Sequence, residues 1–253
     1  MFYKKLRQFI KRLLQSNDKG LKLSRSELLD KSWKFIVNEC IEGDYYEFGV
    51  WRGQTFFYSF FRLLKTAENR IKNSKSIGLN IKADKIRQRL FKESEFHAFD
   101  SFEGLPELTV EDSYSDDFLK GQFASGTDVL ESLRVKYNVP KERIRIHKGW
   151  FKDTCNFDYY QKNNLKKATI IWLDCDIYSS AKDCFNLITF LIQDGTILII
   201  DDWFSNKGSP LHGVQKAFYE WSDNTEIKEN WILTEYQKES WKRTSFIINK
   251  STS

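Results

Sequence analysis

Residues Thr169–Ser180 read TIIWLDCDIYSS: an unbroken apolar run that ends on two aspartates, Asp174 and Asp176, two positions apart. A strand with apolar side chains on successive positions has both faces covered, which is the habit of a parallel sheet. Gly195–Asp202, GTILIIDD, repeats the pattern and ends on Asp201 and Asp202. Between them SAKDCFNLITFLI has the spacing of a helix, so the pair reads as a strand–helix–strand crossover.

The same alternation extends outward in both directions. Upstream, DYYEFGV, EFHAFD and RIRIHKG read as strands, and GQTFFYSFFRLLKTA and GTDVLESLRVKYN as helices. Downstream, VQKAFYEWSD reads as a helix, followed by WILTEYQ and RTSFIIN, two strands separated by a charged turn too short for a crossover. The expected fold is α/β: a Rossmann-like, mostly parallel seven-stranded sheet with an antiparallel terminal hairpin and helices on both faces. LSRSELLDKSWKFIVNECIEG precedes the first strand as a helix, with a capping-box spacing from Ser24 to Glu27.

Length and composition agree with one domain. The 253 residues are 41% hydrophobic and 16% aromatic, with three prolines and no Gly/Ser-rich linker. Residues 23–253 are expected to form a single domain carrying a polar helical insertion near 68–95, and residues 1–22 a separate basic amphipathic helix. That leader holds seven Lys/Arg against Asp18, leaving 33 basic and 34 acidic residues elsewhere, so the net charge of +5 is the leader's and not that of a nucleic-acid groove. The leader is expected to dock on the protein or on a second subunit of a homo-oligomer in preference to a membrane surface. The four cysteines are irregularly spaced and read as reduced thiols; with no spanning segment and no secretory h-region, the expected location is cytoplasmic.

Ligands of a doubly wound sheet collect beyond the carboxyl ends of its strands. EFGVWRG places Glu47 and Gly49 there, but lacks the three glycines that a dinucleotide pyrophosphate requires. A nucleoside cofactor such as S-adenosylmethionine needs only one close backbone approach and an acid; a plain turn would also account for the glycine. Asp100 ends the second strand, where an acid can accept hydrogen bonds from ribose hydroxyls.

Asp174 and Asp176 would point the same way if their strand stayed regular, and Asp201 and Asp202 arrive from the neighbouring strand end. Four carboxylates at one sheet edge repel unless a cation neutralises them, and an all-oxygen set suits Mg²⁺ or another hard divalent cation. Such an ion would acidify a bound alcohol, with a remaining carboxylate as proton acceptor. Because side chains of adjacent residues diverge on a strand, Asp201 and Asp202 can both face the ion only across a turn.

The ordered blocks GDYYEFGVWRG, FDSFEGLP, GQF, KGWFKDT, LDCDIYSS and IIDDW, from Gly43 to Trp203, resemble the macrocin O-methyltransferase (TylF/MycF-like) family. The resemblance implies a class I methyltransferase fold, S-adenosylmethionine, Mg²⁺ and methylation of a sugar hydroxyl. It implies Asp174, Asp201 and Asp202 as metal ligands and Asp176 as general base. Glu47, Gly49, Asp100 and Ser101 would line the cofactor pocket, with Trp51 and Trp150 beside them. The chain departs from the family pattern at Cys175, Gln54 and Asp194, none of them a proposed ligand. The polar stretch LTVEDSYSDDFLKGQF, residues 108–123, has the length and composition of a substrate lid. A catechol-like acceptor and a non-catalytic nucleotide-binding role are the rival expectations.

Overall fold

The structure, a computed structural model, describes residues 26–77, 81–114 and 118–251. The expected leader helix over 1–22 lies outside them. In chain order the elements are α1 (Glu27–Glu39), β1 (Asp44–Phe48), α2 (Gln54–Ile77), α3 (Ile81–Glu93), β2 (Phe96–Asp100), α4 (Thr127–Lys136), β3 (Ile144–Lys148), α5 (Phe151–Thr154) and α6 (Phe157–Lys162). They continue as β4 (Ala168–Leu173), α7 (Tyr178–Leu191), β5 (Thr196–Ile200), α8 (Gly213–Ser222), α9 (Thr225–Asn230), β6 (Trp231–Glu239) and β7 (Arg243–Lys250).

The seven strands form one sheet of order β3-β2-β1-β4-β5-β7-β6. β1 to β5 pair in parallel, and β7 runs antiparallel to both β5 and β6. The chain therefore winds outward from β1 in both directions, which opens a crevice at the carboxyl ends of β1 and β4.

Strand periodicity sorts the core into two layers. Tyr45, Phe96, Ile170, Trp172, Ile197 and Ile199 face α1 and α2; Tyr46, Phe48, Phe99, Ile171, Leu173, Leu198 and Ile200 face α7 and α8. This double burial is why β4 and β5 read as continuous apolar runs. Of the polar segment, residues 68–77 form the end of α2 and residues 81–93 form α3, which returns Leu90 and Phe91 to the core. Among the described residues no helix is long and apolar enough to cross a membrane, and all four cysteines are free thiols.

The start of α1 differs from the sequence expectation. Ser26, not Ser24, is the N-cap, its hydroxyl accepting from the Leu29 amide at 3.1 Å. The carboxylate that completes the cap comes from far along the chain: Glu239 at the end of β6 accepts from the Glu27 and Leu28 amides and from the Ser26 hydroxyl (2.8 Å). A local Ser-x-x-Glu spacing is only one way to satisfy the free amides of a first turn. Glu239→Ala is expected to lower unfolding free energy by about 1–2 kcal/mol in urea titrations; an unchanged midpoint would show that water replaces the carboxylate without loss.

Candidate active site

The register of the sheet aligns five strand ends. Gly149, Asp100, Gly49, Asp174 and Asp201 each follow or close their strand at one level, through Gly149 N–Asp100 O (3.0 Å), Gly49 N–Phe99 O (2.9 Å), Asp174 N–Phe48 O (2.8 Å) and Asp201 N–Leu173 O (2.8 Å). Asp100, Gly49, Asp174 and Asp201 border a cavity of about 810 Å³, which is also lined by Glu47, Trp51, Ser101, Trp150, Asp176, Lys242 and Arg243. All the residues expected from the sequence to bind cofactor therefore meet in one cleft.

Gly49 is required here by the protein's own backbone. Its φ is +83°, and a Cβ would lie 1.7 Å from the Asp174 carbonyl oxygen. The close approach that the sequence suggested for a cofactor is thus made first by the end of β4. Asp100 is likewise fixed locally: Oδ2 accepts from the Val50 (2.8 Å) and Trp51 (3.1 Å) amides, and Oδ1 from the Phe102 amide (2.7 Å). A carboxylate oxygen has two lone pairs, so Oδ1 keeps one for a ligand. The Ser101 hydroxyl accepts from Glu103 N and donates to Gly104 O, shaping the same turn. Glu47 is fully buried, receives the Tyr45 hydroxyl, and is pushed well above the usual carboxylate range by desolvation.

At the other side of the cleft the acids gather, though not on a regular strand. β4 ends at Leu173, and Asp176 follows with φ +64°. The turn that adjacent Asp201 and Asp202 demand is present, with Asp202 at φ +54°. These two left-handed residues bring one carboxylate oxygen each from Asp174, Asp176 and Asp202 within 4.8 Å of one another. Burial, then mutual repulsion, raises the Asp174 carboxyl well above its ordinary range and that of Asp176 to about 9. Asp202 is 5% exposed, and its Oδ2 has no hydrogen-bond partner. A buried carboxylate oxygen without a partner, in an all-oxygen cluster, is a donor set that could hold a hard divalent cation.

Asp201 is not drawn into that group. Its Oδ2 accepts from Arg243 Nε at 2.8 Å, while Oδ1 accepts from the Asp202 amide (2.9 Å) and lies 3.3 Å from Lys242 Nζ. Lys242 ends the β6–β7 turn and Arg243 opens β7, and nothing in their spacing placed them beside these acids. Asp112 was also unmarked in sequence. It is 5% exposed and accepts from the Ser179 amide in the first turn of α7 at 3.0 Å, tying residues 109–112 to the helix beside the acids.

A second clustering, Asp44, Glu95 and His97, sits at the opposite end of the strands, where Asp44 opens β1. Its atoms are engaged internally: Asp44 Oδ1 accepts from Glu95 N, Asp44 Oδ2 meets His97 Nε2, and Glu95 pairs with Arg145. It reads as a pin between strands.

A sequence profile of the macrocin-O-methyltransferase (TylF) family matches residues 81–243, more than half of the chain. The chain belongs to that TylF family. The match runs from α3 to the first residue of β7 and contains every acid of the site except Glu47. Among curated relatives, the 8-demethyl-8-(2,3-dimethoxy-alpha-L-rhamnosyl)-tetracenomycin-C 4'-O-methyltransferase of Streptomyces olivaceus is 26% identical over 186 residues, 72% of this chain and 60% of its own. The chain spans about 60% of the length of the curated relatives it matches. Two solved structures share the architecture. The calicheamicin methyltransferase CalS11 has 17% identity and a TM-score of 0.62, covering 97% of this chain and 91% of its own. The O-methyltransferase NovP has 16% identity and a TM-score of 0.60, covering 97% and 98%. The TylF chain thus has the class I methyltransferase fold expected from its strands.

Proposed function

We propose that this protein is an S-adenosylmethionine-dependent O-methyltransferase that methylates a hydroxyl of a saccharide with the help of a divalent cation. One observation carries the reading: at the carboxyl edge of a methyltransferase-type sheet, a nucleoside-sized cleft adjoins a carboxylate cluster with an unsatisfied buried oxygen. Family membership and the sugar 4'-O-methyltransferase named among the relatives support the acceptor class.

Glu47, Gly49, Asp100 and Ser101 would hold the cofactor, with Trp51 and Trp150 bordering it; the free lone pair of Asp100 Oδ1 suits a ribose hydroxyl. S-adenosylmethionine supplies an electrophilic sulfonium methyl. Asp174 and Asp202 would hold Mg²⁺, joined by Asp201 when its ammonium partner gives way. The cation, when bound, acidifies a chelated hydroxyl and lets the neighbouring carboxylates ionise. Asp176 then accepts the hydroxyl proton, and its position on a turn rather than a strand keeps its carboxylate facing the cleft. Thr109, Gln122 and Phe123, which line the cleft, would limit water there, with Asp112 tying Thr109 to the start of α7.

The test is transfer of a labelled methyl group from S-adenosylmethionine to saccharide and to catechol acceptors. Saccharide labelling is expected, falling about a hundredfold or more with chelator and returning with Mg²⁺. Labelling of catechols alone would overturn the acceptor class, and chelator-insensitive transfer would overturn the metal.

A further inference from the structure

The β6–β7 turn leads into β7 beside the end of β5 and lays Lys242 over that end. Its ammonium lies 3.3 Å from Asp201 Oδ1 and 3.1 Å from Asp202 Oδ1, bridging the two carboxylates from the position that a cation shared by them would take. We propose that Lys242 is a built-in competitor of the divalent cation, so that metal binding is an exchange in which the ammonium leaves Asp201 and Asp202 for the adjoining cavity. The inference rests on the metal-assisted reading above and deepens it by naming the residue that sets metal affinity.

Three features support exchange. The first is the incomplete neutralisation. Lys242 engages Oδ1 of each aspartate and leaves Asp202 Oδ2 buried without a partner, which a multiply coordinated dication would take up. The second is the contrast with Arg243. That guanidinium is fixed by Asp201 Oδ2 (2.8 Å), by Glu239 Oε2 (3.3 Å) and by the Trp172 ring at 5.2 Å, whereas Lys242, comparably exposed, is held only at its ammonium, by the two acids. A flexible stem ending in a single charge can leave; a planar fork held on three sides stays. The third is the destination: Lys242 already lines the cavity into which it would swing. An ammonium and a dication on adjacent oxygens of Asp202 repel, so the two do not share the site at full strength. Lys242 is therefore a positioning residue that keeps the acids folded together before the metal arrives.

The test is Mn²⁺ binding to the full chain, read as free Mn²⁺ by electron paramagnetic resonance with no cofactor or acceptor present. Lys242→Met is expected to bind Mn²⁺ at least about tenfold more tightly than wild type, because one repelling charge is gone. Its metal-free melting temperature should fall, since the acids lose their counter-ion; a purely structural role would weaken both stability and metal binding. Lys242→Arg, which keeps the charge and offers a fork that can hold both acids, should bind Mn²⁺ no more tightly than wild type. Equal or weaker binding by Lys242→Met overturns the inference while leaving the metal site intact, provided that Asp202→Asn abolishes binding in both backgrounds. Should Asp202→Asn bind like its parent, or should neither wild type nor Lys242→Met bind Mn²⁺, the metal-assisted reading falls and the inference with it.

Discussion

Asp176→Asn should lower turnover about a thousandfold while leaving S-adenosylhomocysteine affinity within about threefold, as measured by initial rates at saturating acceptor and by calorimetry. The substitution is a clean one for a structural reason. Asp176 occupies the left-handed region at φ +64°, a conformation that asparagine tolerates as well as aspartate does, so the turn after β4 should survive. What is lost is the ability to accept a proton. Near-normal turnover would remove Asp176 from the chemistry and pass the role to another carboxylate of the cluster.

Gly49→Ala should cost about 3 kcal/mol or more of folding stability, and with it the cofactor cleft. Two penalties combine: a left-handed φ of +83° for a residue bearing a Cβ, and a Cβ placed 1.7 Å from the backbone oxygen of Asp174. Backbone cannot rotate aside as a side chain can, so β1 and β4 would have to part at the level where their ends meet. Chemical denaturation measures the loss, and an unfolding midpoint equal to that of wild type would contradict it. The prediction separates two reasons for a glycine after a first strand. Here packing between strand ends demands it whether or not a cofactor is bound.

How far these features could be read in the chain depends on how local their causes are. β4 and β5 were legible because burial on both faces writes itself as consecutive apolar residues, and the acids at their ends were legible because the sheet's geometry says what a strand end borders. The hairpin of β6 and β7 followed from the shortness of its connection. The true N-cap of α1 was not legible, since Glu239, which completes it, lies more than two hundred residues away. Lys242 looked like one more charge in a surface turn, and Arg243 like the first residue of a strand. Only the return of β7 alongside β5 brings them to Asp201 and Asp202, and that pairing has no local signature. Asp174 and Asp176 were placed near one another for an incomplete reason: the strand stops at Leu173, and a left-handed turn, not the pleat, gathers them with Asp202.

The claim on which the account depends is that the clustered carboxylates at the ends of β4 and β5 stay together to hold a divalent cation beside the cofactor. Anomalous diffraction from crystals grown with Mn²⁺ and S-adenosylhomocysteine tests it most directly. The expected result is a single Mn²⁺ peak bonded to Asp174 and Asp202 Oδ2, with the nucleoside lying between Glu47, Asp100 and Trp150. A map with S-adenosylhomocysteine in the cleft, no peak at these oxygens and Lys242 still bridging Asp201 and Asp202 would contradict it.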